Sequence, residues 1–239
     1  MKVAIITPYY KEPVAILKRC HRSVLDQTYS NVTHIMVADG HKKSICGDWT
    51  VEHMILPASH HDAGATPRAI AAISAFSRGY DAVGFIDADN WIDSNHVTKM
   101  LETIKTADAQ AVIATRRIHA VDGRELYVDR VESNGSNMVD TNCMFLTRDL
   151  LHLMSYWVVE PGKQLWSDRY FWSAVQKSGA RIASCLEPTV AYCSKWAWHY
   201  QYAGEVPPPD SVWINQDEAG NLTHILHKDI KNIKENNES

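Results

Sequence analysis

GFIDADNW, residues Gly84 to Trp91, starts as an apolar strand and ends in two carboxylates separated by a single alanine. In an extended segment, side chains at i and i+2 point to the same side, so Asp87 and Asp89 can approach one ligand together. Two anions that close repel each other unless a cation or shared hydrogen bonds compensate them. A divalent ion bound by carboxylate and phosphate oxygens supplies that compensation, and such ions commonly take substrate phosphates into their shell. The competing reading is turn chemistry, because Asp and Asn also favour the bend between a strand and a helix.

Outward from this stretch, strands and helices alternate. KVAIIT reads as a buried strand, and Val14 to Gln27 as a helix whose apolar face carries Leu17, Cys20, Val24 and Leu25. THIMVA is a second strand ending at Asp39-Gly40, EHMILP a third, Ala65 to Gly79 an Ala-rich helix with a glycine stop, and AVGFI the fourth. Parallel neighbours need a crossover, usually a helix, so the pattern predicts a doubly wound α/β half over residues 1 to about 90. A helix is predicted from Asp93 to Thr106 with an Asp-Ser start signal, then a strand in AVIATRRIH. Further helices are predicted at Thr147 to Trp157 and Ser167 to Ser178, followed by a strand at RIAS. Beyond Gly204, EVPPPD reads as a stiff linker and KENNES as a frayed tail. The expected organisation is one catalytic domain over 1–205, split into halves at 90/91, with a proline-containing extension over 206–239.

The chain of 239 residues, 45% hydrophobic and 22% charged, is ordinary for a globular protein and large enough for one sizeable core. A formal net charge of -4 without a basic run argues against nucleic acid as a partner. The opening MKVAIITPYY is too short and too soon broken by proline for a signal peptide or a membrane span. Cytoplasmic residence is therefore the expectation, with peripheral membrane association left open. Five cysteines without CxxC spacing suggest reduced, mostly buried thiols. Asn221-Leu-Thr223 matches a glycosylation triplet, which carries little weight without a secretory signal.

In an open parallel sheet the ligand crevice lies beyond the carboxyl ends of the strands. Thr7-Pro8-Tyr9, Asp39 and the Asp87/Asp89 pair all fall there. The ordered motifs TPYYKEPVAILKRCHRSVLDQTYSNVTHIMVADG, GATPRAIA and FIDADN together resemble family 2 glycosyltransferases of the GT-A fold, over roughly residues 1 to 200. The resemblance implies a Rossmann-like, mainly parallel sheet with a smaller acceptor-binding half. It also implies transfer of a sugar from a nucleotide-sugar, with uridine preferred, to a hydroxyl of a glycan or related acceptor, with inversion and with Mn2+ or Mg2+ as cofactor.

Residue by residue, the resemblance implies that Thr7, Pro8 and Tyr9 line the base, that Asp39 hydrogen-bonds it, and that Arg68 lies near base or diphosphate. Asp87 would contact ribose or hold the metal through water, and Asp89 would ligate it directly. The attacking hydroxyl needs a base. The family places one at a helix start, usually in a Glu-Asp pair, and QLWSDRYFW offers Asp168 with Ser167 where the glutamate is expected. The competing reading is that Ser167 or Asp168 caps the helix. Asp140 in MVDTNC is the reserve. His199, in SKWAWHYQY, would be a further metal ligand or simply packing.

Trp157, Trp166, Trp172, Trp196 and Trp198 fall in the second half, where tryptophans serve as core or as sugar platforms; Trp166, beside the expected base, is the acceptor candidate. Arg116-Arg117 would form a surface ion pair or meet an acceptor phosphate. A catalytically silent nucleotide-sugar-binding scaffold and a nucleotidyltransferase are the alternatives. The latter is disfavoured because IITPYYKE lacks a glycine-rich loop. No G-x-S-x-G or P-loop pattern occurs. The sugar, the acceptor and the oligomeric state are not fixed by the sequence.

Overall fold

The computed structural model describes residues 1–136, 138–160, 163–216 and 222–226. Asn221 of the glycosylation triplet and the KENNES tail lie outside them. The chain divides into two units, one of residues 1–116 and 128–192, the other of residues 117–127 and 193–239. The division falls at Cys193 rather than at Gly204 and takes in the 117–127 segment.

In the first unit, β1 (Val3–Tyr9) is buried along its whole length, as expected of a central strand covered on both faces. It pairs in parallel with β2 (Val32–Asp39) on one side and β4 (Ala82–Phe85) on the other. β2 pairs in parallel with β3 (Glu52–Leu56). The crossovers are α1 (Val14–Leu25) and α2 (Ala65–Ser77). α1 buries Leu17, Cys20, His21 and Val24, but Leu25 at its end remains 46% exposed. Helical geometry turns Leu25 about 100° from Val24, which carries it off the buried stripe.

The order β3-β2-β1-β4 reverses direction between β1 and β4, so the switch-point crevice lies off the ends of these two strands. From there the sheet turns antiparallel: β4 against β8 (Met144–Thr147), and β8 against β6 (Ala111–His119). β5 (Trp91–Ile92) pairs with β9 (Ile182–Cys193). That short strand delays the next helix. α3 runs His96–Ala107 rather than from Asp93, and Asp93 donates its N–H to the Thr189 carbonyl at 2.9 Å. No local side chain caps α3. Gln27 does that work from the end of α1, accepting from Val97 N at 2.9 Å and donating to the Asp93 carbonyl at 2.7 Å.

Arg148–Trp157 folds as a 3-10 helix in place of the expected α-helix, and its spacing buries Leu150, Leu153, Met154 and Trp157. Trp157 stacks on Phe171 of α4 (Ser167–Lys177) at 4.3 Å between ring centroids, and meets Phe85 of β4 edge-on at 5.3 Å. Trp172 is also buried, with its indole N–H on the Gly135 carbonyl at 2.9 Å. These two tryptophans are core.

A charge sits inside the same unit. Arg116 of β6 is 2% exposed. Its Nε donates to Asp129, at the end of β7 (Glu125–Asp129), at 2.9 Å; its Nη1 donates to Asp140 at 2.7 Å and its Nη2 to Glu132. The Tyr192 ring lies 4.7 Å from the guanidinium carbon. The expectation of a surface ion pair or a phosphate contact is thus corrected for Arg116. The guanidinium is removed from water and saturated by carboxylates, as burial of a cation requires.

The second unit carries the turn at Ala120–Arg124, α5 (Ala197–Tyr202), and the antiparallel pair β10 (Val212–Gln216) and β11 (Leu222–Leu226). A bidentate pair between Arg124 and Glu205, at 2.6 and 2.8 Å, closes the segment after α5 onto the turn. Among the described residues no helix is long and apolar enough to cross a membrane.

Arg116→Met leaves three carboxylates without their cation. We expect it to destabilise the fold by about 3–5 kcal/mol, read as a lower urea midpoint at unchanged slope.

Candidate active site

The strand ends of the first unit place most of the expected residues together, though not all with their side chains facing outward. Thr7 is fully buried, with its hydroxyl 2.8 Å from His34 Nε2 and 3.6 Å from the Cys20 sulfur. Tyr9 is 2% exposed, and its hydroxyl meets His53 Nε2 at 2.8 Å and accepts from the Lys43 N–H at 3.0 Å. Burial pushes its phenol up to about 12. Neither side chain lines an open cleft. Both face the α1 side of the sheet, since residues two apart on β1 share a face, Thr7 meets Cys20 and Tyr9 clusters with Leu17, both of α1. Tyr10, one residue further on, is the partly exposed aromatic here, edge-on to His41 at 4.3 Å and to His61 at 5.8 Å.

Pro8, also buried, packs under the loop into α2. A Cβ at Gly64 would stand 2.9 Å from Pro8 Cγ and 3.2 Å from Arg68 Nη1, and Gly64 has φ +81°, so both space and backbone demand glycine. Asp39 ends β2 buried and already supplied with donors: Ser59 Oγ at 3.1 Å, His60 N at 3.1 Å and His60 Nδ1 at 2.7 Å.

Arg68, in the first turn of α2, is 5% exposed, so it is not a solvated helix-start residue. Its Nη1 donates to the Ala63 carbonyl at 2.8 Å, its Nη2 pairs with Asp87 Oδ1, and its guanidinium carbon lies 5.6 Å from the Trp157 ring centroid. The other Asp87 oxygen accepts from Asn142 Nδ2 at 2.9 Å. The Asp87 carboxylate is therefore held between a cation and an amide. Two residues on, the Asp89 backbone carbonyl accepts from Arg19 Nη2 at 2.6 Å, and Asp89 is half-buried.

Asp140, the reserve base, is committed elsewhere. Oδ2 takes Arg116, and Oδ1 takes both the N–H of Asn142 at 2.9 Å and its Nδ2 at 2.7 Å. Burial raises its carboxyl above the ordinary range against the pull of Arg116. Asp168 differs. It stands in the first turn of α4, and among the described residues its carboxylate accepts a hydrogen bond from the adjacent Arg169 N–H alone, at 2.8 Å. Burial, followed by the negative charge of Asp140, pushes its carboxyl up to about 6, while Arg169 and, more weakly, Arg68 pull the other way. Asp87, Arg68, Asp140 and Asp168 thus share one electrostatic neighbourhood. Trp166, just before α4, is partly exposed, with the Arg169 guanidinium 4.4 Å from its ring centroid.

His199 belongs to the second unit. It is 1% exposed, with Nδ1 bonded to Ser194 Oγ and the Tyr127 ring 6.2 Å away. Among the described residues, no three His, Cys, Asp or Glu side chains gather as a metal site. What the first unit offers is a pair of hard carboxylate oxygens at a strand end. That donor type suits Mg2+ or Mn2+ when a diphosphate completes the shell. Asn142, Tyr10 and His60 were not singled out in the sequence. Asn142 follows Asp140 by two residues with no spacing that marks it, Tyr10 adjoins Tyr9, and His60 reaches Asp39 only through the fold.

The pattern of the family described as Glycosyl transferase family 2 matches residues 4–149. Glycosyltransferase GlyA of Streptococcus pneumoniae serotype 4 (strain ATCC BAA-334 / TIGR4) is 28% identical over 128 residues, which are 52% of this chain and 18% of that one. The chain thus spans under a fifth of that relative's length. S. aureus TarS 1-349 in complex with UDP superposes with a TM-score of 0.63 at 14% identity, covering 85% of this chain and 63% of that one. The same protein in complex with UDP-GlcNAc gives 0.59 at 15% identity, covering 81% and 59%. At these identities the TarS structures speak for the fold, the mainly parallel α/β arrangement of GT-A type. With the family pattern running from β1 through β8 and across the ends of β1, β2 and β4, the chain belongs to glycosyl transferase family 2.

Proposed function

We propose that the chain transfers a sugar from a nucleotide-sugar, specifically a UDP-sugar, to a hydroxyl of a glycan or related acceptor, with inversion and with Asp168 as the base. The observation that carries this is a carboxylate at the start of α4, Asp168, within the electrostatic reach of Arg68 and Asp140, in a chain of glycosyl transferase family 2 whose Asp87 stands at a strand end between Arg68 and Asn142; burial and Asp140 push the Asp168 carboxyl up to about 6. A carboxylate whose proton affinity is raised is a stronger base, yet still ionised at neutral pH. Uridine as the base is supported by family membership and by the UDP and UDP-GlcNAc complexes of TarS, which shares the fold.

In this reading the acceptor oxygen attacks the anomeric carbon while its proton passes to Asp168, and the bond from that carbon to the diphosphate breaks with its electron pair leaving on UDP. Asp39 and Tyr10 would receive the base. Arg68 and Asn142 hold Asp87 toward the ribose and diphosphate, and Trp166 offers an aromatic face beside Asp168 for the acceptor. Asp89 would ligate a divalent cation, with Asp87 reaching it through water. Such an ion supplies charge neutralisation at the leaving diphosphate.

Asp89→Ala is expected to abolish the manganese-dependent part of UDP affinity in calorimetric titrations; equal enhancement by manganese in variant and wild type would refute the metal assignment. Asp168→Asn is expected to leave UDP affinity within about twofold while lowering the transfer rate by about 10²–10⁴-fold. In the wild type, kcat/KM should fall about tenfold per pH unit below about 6 as Asp168 takes up its proton. Stability has the opposite sign. A carboxyl raised in the folded state favours folding at low pH, and that contribution is lost as pH rises through about 6. Asp168→Asn should therefore melt above wild type at pH 8, and an unchanged or lower melting point would count against a base built at the expense of stability.

A further inference from the structure

β4 and β8 pair antiparallel with Gly84 opposite Phe145, so three residues further along β4 and three back along β8 the same register sets Asp87 opposite Asn142. The regular ladder has ended by then, since β4 stops at Phe85 and β8 begins at Met144. Asn142 instead sits in the 3-10 turn Thr141–Cys143, whose start is capped by Asp140. Its side chain continues the ladder in place of the backbone. Oδ1 accepts the Asp87 backbone N–H at 2.6 Å, and Nδ2 donates to Asp87 Oδ2 at 2.9 Å. A carboxamide can do both because it carries an acceptor and a donor in one plane, as a peptide group does.

The second Asn142 N–H goes to Asp140 Oδ1 at 2.7 Å, and Asp140 Oδ2 is gripped by Arg116 at 2.7 Å. With Asn142 1% exposed, water has little access to substitute for any of these bonds. The amide orientation is also determined. Turned over, its nitrogen would face the Asp87 N–H and its oxygen would face two carboxylates, so every contact would be repulsive.

We propose that Asn142 is the positioning residue of the acidic pair: braced by Asp140 and Arg116, it fixes both the backbone and the carboxylate of Asp87 in the orientation that receives the nucleotide. This rests on the nucleotide-sugar reading of the site. Arg68 sets the charge balance of Asp87 from the α2 side; Asn142 sets its direction from the β8 side. The pair of contacts requires the length of asparagine. Serine keeps at most an acceptor for the N–H, alanine keeps neither, and aspartate would place a third carboxylate against two others.

The test is calorimetric titration of the whole chain with UDP in the presence of Mn2+, with thermal melting recorded for each variant. Asn142→Ala should weaken UDP by about tenfold or more, the scale of a lost hydrogen bond to a charged group. Asn142→Ser should fall between it and wild type, and serves in its place if the alanine variant does not fold. Asp87→Ala combined with either substitution should bind no more than about threefold worse than Asp87→Ala alone, because a residue acting through Asp87 has nothing left to position. Affinity within about twofold of wild type in a folded Asn142 variant, or independent multiplication of the two losses, would show a purely structural amide and overturn the proposal. A wild-type chain that binds no UDP with Mn2+ overturns the functional reading and this inference with it, an outcome distinct from normal wild-type binding with an indifferent Asn142.

Discussion

An acidic strand end in the middle of a sheet needs donors, and the arrangement around β4 is organised by that need. Asp87 is met by Arg68 on one oxygen and Asn142 on the other. Behind Asn142 stands Asp140, and behind Asp140 the guanidinium of Arg116, which also holds Asp129 and Glu132. From core to crevice the path runs cation, carboxylate, amide, carboxylate, cation, so each buried carboxylate has a cation on one side and shares the neutral amide on the other. Asp168 is the carboxylate for which that compensation is incomplete. Burial raises its proton affinity, as it does that of Asp140, whereas Arg116 holds Asp129 below the ordinary range against its burial.

The alternation of strands and helices through β4 was legible because long apolar runs bounded by turn residues have few other readings, and β1 to β4 with α1 and α2 lie close to their expected bounds. The late start of α3 was not. Nothing local announces that Gln27 caps it from another element, or that Trp91-Ile92 would pair with a strand nearly a hundred residues later. The 3-10 form of Arg148–Trp157 was hidden for a related reason: its apolar spacing suits either helix, and packing against α4 and β4 chose between them.

The candidate site was legible in identity more than in direction. Motifs located Asp39, Arg68, Asp87, Asp89 and Asp168, all in the first unit, yet strand parity turns Thr7 and Tyr9 inward to His34 and His53. The TPY stretch thus contributes backbone and packing at the crevice, while Tyr10 presents the ring. Arg116 misled because adjacent arginines usually mean a solvated face, and the three carboxylates that draw it inside are scattered over a stretch of chain with no regular pattern. Asn142 carried no signal of its own, since its importance comes from register alone.

That register has a consequence for how the molecule comes into being. β4 acquires its β8 neighbour only after α3, β6 and β7 have been traversed. Until then the nascent parallel half holds two crowded anions with one of their two supports missing. Closing so long a loop is slow relative to forming the local crossovers. The second support of Asp87 therefore arrives late, and a chain halted before residue 140 would carry the acidic pair without the amide that holds it.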